Sequence, residues 1–164
     1  MDESHSPLPP TKEAFHLARS AMLDSFAALE VALMYASKKA EIIDNAVHFA
    51  QVLDQMRKSK FFANLLPNTH SELNELLDRC HAISLMRNDI VHSRMHFLAP
   101  QGNMRACFSN SRECFSEHHM ARIFTLPGLV ALSKQTRATA QRLDAIFNQQ
   151  PLPQQPSPDA AAGL

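Results

Sequence analysis

Arg87 and His92, with four residues between them, are the side chains in this sequence best suited to chemistry. They sit in the run Leu85-Met86-Arg87-Asn88-Asp89-Ile90-Val91-His92-Ser93-Arg94. A guanidinium stays charged and grips two oxygens of a phosphate or carboxylate in a fork. Imidazole, with an unperturbed pKa of about 6.5, serves as acid or base near neutrality. Asn88 stands four residues before His92, so on a helix the amide and the imidazole share a face. Arg87 does not share it, because five residues on a straight helix turn through about 140° and climb about 7.5 Å. Each residue also has a plain structural role open to it. Arg87 can pair with a core acid such as Glu30, and His92 can simply end a helix. Glu30 lies inside an apolar stripe, where a lone carboxylate is costly, so it is expected to pair with Arg87 or Asn88.

The rest of the sequence offers less chemistry. His92 and His96 form an H-x3-H pair without a third ligand at suitable spacing, so neither a metal nor another cofactor is expected. There is no glycine-rich phosphate loop, GxSxG elbow or dinucleotide fingerprint. His118-His119 reads as a solvated loop pair. Cys80, Cys107 and Cys114 make no CxxC pair and leave an odd thiol under any pairing, which favours a reducing compartment.

Four main helices are expected to position these groups. Residues 1–10 are a loose lead-in, and Thr11 caps a helix that runs to about Lys39. Its stripe is Phe15, Met22, Phe26, Leu29 and Leu33. A second helix is predicted over Glu41 to Lys58, with Ile42, Ile43, Val47, Ala50, Val52, Leu53 and Met56 facing inward. Phe61, Phe62, Leu65 and Leu66 plug one end of the core before Pro67-Asn68. Ser71 opens a third helix with Leu73, Leu76, Leu77, Cys80 and Ser84 buried and Arg87 continuing their line. That helix is expected to fade by Phe97, because Pro100-Gln101-Gly102 cannot continue it. From Asn103 to Phe115 the pattern shortens and partly alternates, which fits an irregular or hairpin insert turning near Ser109-Asn110-Ser111. Thr125 and Pro127 start the last helix, with Leu129, Leu132, Thr136, Thr139, Leu143 and Ile146 inside. The Pro/Gln-rich residues 149–164 are expected to be disordered. The fold class is therefore all-α: an antiparallel bundle of four to five helices over residues 11–148, with a small insert between the last two.

Composition adds exclusions. Sixteen basic and sixteen acidic residues balance, so any affinity for nucleic acid must come from a local patch. The most apolar stretch, Phe26 to Ala36, contains Glu30 and is too short to span a bilayer. The start Met-Asp-Glu carries no secretory pattern, so a cytoplasmic location without membrane attachment is expected.

Arg87-Asn88-Asp89-Ile90-Val91-His92 resembles the R-x4-6-H signature of the HEPN superfamily, in which a polar residue commonly follows the arginine. The long first helix with a mid-helix glutamate, the insert and the final helix agree with it. The resemblance implies a helical bundle that dimerises with the motif near the two-fold axis. It also implies either a metal-independent endoribonuclease of toxin or defence type, with RNA and an antitoxin or other protein as partners, or a relative that has lost catalysis and binds a nucleotide or a partner protein. Arg87 and His92 match the catalytic pair, Asn88 the polar position, and Glu30 is read as their support. Cleaving RNA through its own 2′-hydroxyl needs a base, an acid and positive charge on the phosphate, which two copies of the motif would supply. A helix C-terminus repels phosphate, so Arg94 and Arg105 are read as RNA-binding, with Arg112 and Arg122 extending the surface. In the branch controlled by nucleotidyltransferase antitoxins, a tyrosine stands two residues after the histidine. Arg94 occupies that position here, so tyrosine-directed control is not implied.

Overall fold

The structure, a computed structural model, describes residues 10–42, 49–110 and 121–149 of the 164-residue chain. The lead-in before residue 10, Ile43 and Val47, Arg112, Cys114, His118-His119 and the tail from residue 150 lie outside them.

Helix α1, Lys12–Lys39, begins at Thr11, whose Oγ1 accepts from the Ala14 N–H at 3.2 Å. Glu13 in its first turn and Lys38 and Lys39 in its last complement the helix dipole. All five stripe residues expected to be inside are buried. Glu41, at φ 53°, sits in the left-handed region, which stops the helix and separates it from the next. Helix α2, Phe49–Lys58, buries Leu53 and Met56, whereas Ala50, expected inside, is exposed. The one-turn α3, Lys60–Ala63, carries Phe62 into the core, and Phe61 stacks on Phe147 at 4.9 Å between centroids. Leu66 is 71% exposed instead of plugging the core.

Helix α4, Pro67–His92, starts at Pro67, whose missing N–H costs nothing in a first turn. The expected cap at Ser71 is therefore one turn too late. Leu73, Leu76, Leu77, Cys80, Ile83 and Ile90 face inward. Burial pushes the Cys80 thiol up to about 12. Thiolate is the reactive form, so Cys80 is expected to resist iodoacetamide in the native protein at pH 8 and to react once the chain is unfolded. Mass spectrometry of the labelled chain checks this, and rapid native modification of Cys80 would contradict it.

The chain is mostly helical, as expected, and the insert before the last helix is a small antiparallel sheet. Strand β1, Ser93–Leu98, follows α4 without a loop, so the helix ends at His92 and not at Phe97. Strands β2, Arg105–Asn110, and β3, Arg122–Phe124, complete the order β1-β2-β3. The first hairpin turns at Pro100–Gly102, where Gly102 takes φ 80°. The turn expected near Ser109-Asn110 is instead part of β2, paired with Arg94 and Ser93. Met95, Phe97, Ala106, Phe108 and Phe124 face the helices, and Phe15 of α1 meets Phe97 edge-on at 5.8 Å.

Helix α5, Leu126–Gln149, opens where expected, with Thr125 Oγ1 accepting from the Gly128 N–H. Its six predicted inner residues are all buried. Ser133 Oγ donates to the Ala21 carbonyl at 3.1 Å, and Tyr35 Oη donates to Asn148 at 3.0 Å. Both residue numbers rise together along this contact, so α1 and α5 run parallel. Arg142 pairs with Glu72 near one end of α4 and Arg122 with Asp89 near the other, so α4 runs against α5. The long helices thus alternate in direction as α1, α4, α5, with α2 and α3 packed beside them as shorter described pieces. No described helix is long and apolar enough to cross a membrane.

Candidate functional site

Arg87 lies on the inward line of α4, one turn beyond buried Ile83. Its Nη2 reaches Glu30 Oε1 of α1 at 2.8 Å, with the two side chains 31% and 41% exposed. Its Nε is buried without a partner. A pair this wet holds two helices in register but contributes at most about 1 kcal/mol. Glu30 is therefore satisfied as the sequence required, by Arg87 and not by Asn88.

Asn88 and His92 point the other way and are exposed. The structure joins Arg87 to Glu30, while His92, five residues on and about 140° round the helix, stays exposed. What fixes His92 is the abrupt switch from helix to strand at Ser93, which has φ −103° and ψ 150°. The last carbonyls of a helix lack internal donors. Here Arg19 of α1 supplies them, its Nη2 donating to Ile90 O at 3.0 Å and to Ser93 O at 3.2 Å. Its guanidinium lies 5.8 Å from the centroid of the Phe108 ring, and its charge suits a helix C-terminus. Arg19 is a positioning residue that sequence reasoning missed. The signal was present: a cation four residues after Phe15 and three before Met22, inside the apolar stripe, as Glu30 is.

Beyond His92 the strand alternates, so Arg94, His96 and Leu98 face outward. In register, Arg94 opposes Ser109, His96 opposes Cys107 and Leu98 opposes Arg105. Both proposed phosphate ligands, Arg94 and Arg105, are exposed on this outer face, and the three strands contain no acidic residue. Arg122 does not extend the surface freely, because Asp89 binds its Nε. No group of three His, Cys, Asp or Glu among the described residues could hold a metal ion.

One protomer therefore offers an exposed imidazole at the end of α4, directly before a strand whose outer face carries Arg94. That suffices to accept or donate one proton beside an anion, and a reaction needing both transfers at once requires a second imidazole. Comparison with family models, with curated proteins and with solved structures returns no match for the chain.

Proposed function

We propose that this chain is a HEPN-like domain that cleaves RNA without a metal and works as a homodimer. The observation that supports this best is the exposed His92 opening directly into a strand whose outer face carries Arg94 and, across the hairpin, Arg105. His92 takes the proton from a ribose 2′-hydroxyl, and that oxygen attacks the adjacent phosphorus. The P–O5′ bond breaks, and the imidazolium so formed returns the proton, through water, to the leaving 5′-oxygen. The products are a 2′,3′-cyclic phosphate and a 5′-hydroxyl. Arg94 holds the phosphate beside His92, Arg105 at the far end of the hairpin holds a phosphate farther along the RNA, and Arg87 keeps α4 seated on α1 through Glu30.

The test is digestion of a mixed-sequence RNA in excess chelator, followed by analysis of the new ends. Cyclic phosphate ends produced in chelator are expected. Cleavage that chelator abolishes, or that leaves 3′-hydroxyl ends, overturns the proposal. The Glu30–Arg87 ion pair favours a second reading, in which Arg87 is only a brace and the domain binds a nucleotide or partner protein without catalysis. Under that reading RNA stays intact.

A further inference from the structure

The outward face of α1 is apolar where a solvated helix would carry charge. Val31 and Met34 are 64% and 60% exposed, and Leu17, farther along the same face, is 72% exposed. Between residues 24 and 38 the exposed positions are Asp24, Ala27, Ala28, Val31, Met34, Tyr35 and Lys38. Their spacing is that of a heptad seam, with Asp24, Val31 and Lys38 seven apart and the remaining four midway. The pattern is also complementary to its own reverse. Turned end for end about Val31, Asp24 falls opposite Lys38, Ala27 opposite Tyr35 and Ala28 opposite Met34. Small residues meet large ones, the only two charges meet their opposites, and Val31 meets itself.

We propose that α1 pairs with α1 of a second copy, antiparallel about a two-fold axis at Val31. An isologous contact demands that each residue's partner lie on the same surface, and this stripe meets that demand at every exposed position from 24 to 38. Tyr35 is already held by Asn148, so its ring is pre-ordered to receive Ala27 of the partner subunit. Glu30 is next to Val31, which sets a Glu30–Arg87 bridge on either side of the axis. The inference stands on α1 alone. It reads out as mass, and cleavage reads out separately, so failure of one is distinguishable from failure of the other.

Sedimentation equilibrium of the full chain in the micromolar range is expected to give twice the chain mass. Val31→Glu places two carboxylates on the axis and is expected to give a monomer with unchanged helical circular dichroism, since Val31 is exposed. Asp24→Lys alone is expected to weaken association by about tenfold, and Asp24→Lys with Lys38→Asp to restore it. Val31→Cys is expected to form a disulfide-linked dimer on mild oxidation, because residues facing across the axis bring their Cβ atoms to about 4 Å. A monomeric native chain, a dimer indifferent to Val31→Glu, or a double charge swap that fails to rescue each overturns the proposal.

Discussion

His92→Ala is expected to slow RNA cleavage by about 10²–10⁴-fold while leaving the fold intact, the range that a positioned acid or base contributes. The side chain is exposed at the end of α4, so its removal is expected to change stability by no more than about 0.5 kcal/mol. In a dimer both copies lose the group, so neither proton transfer keeps its imidazole. Single-turnover rates on one labelled RNA, with melting curves beside them, separate loss of chemistry from loss of structure. If the variant cleaves at the native rate, the activity does not belong to this histidine and the catalytic proposal fails.

Arg19→Ala is expected to cost about 2–3 kcal/mol of stability. It removes two charge-assisted hydrogen bonds and leaves the carbonyls of Ile90 and Ser93 without that donor. It also strips an aliphatic stem and a cation from beside Phe108. For a chain of this size the melting temperature is expected to fall by roughly 4–12 °C. Arg19→Lys restores the charge but not the fork, so it is expected to recover only part of the loss. The β1 amides are expected to exchange hydrogen faster in Arg19→Ala than in the native chain. An unchanged melting temperature would mean that the helix end holds itself.

The long helices were legible because their stripes are local. Phe15 to Leu33, Leu73 to Cys80 and Leu129 to Ile146 repeat at the helical period, and burial followed that period. Glu30 was legible for the opposite reason: a carboxylate in a stripe must find a cation, and Arg87 was the nearest in kind. Strand β1 was not legible. Ser93 to Leu98 can extend the helix as readily as alternate, and what decides is β2, which pairs with it across a hairpin. Arg94, Met95, His96 and Phe97 do alternate polar with apolar, but four residues carry too little signal against a continuing helix. Parallel α1 and α5 were hidden too, since nothing local in either helix reports which way its neighbour runs. Of the candidate site, the residue types and the diverging directions of Arg87 and His92 followed from spacing. The clamp from Arg19 did not, because its acceptors are backbone carbonyls, which every residue has.

Those carbonyls lie 71 and 74 positions away along the chain from the arginine that binds them. Loops of that size close late and slowly compared with the turns of a helix. A nascent chain long enough to contain His92 can wind α4 but still lacks β2, which must follow before β1 exists. The end of α4 therefore acquires its final geometry only after most of the polypeptide has been synthesised and docked. Any property that depends on that geometry is silent in fragments and appears with the finished domain.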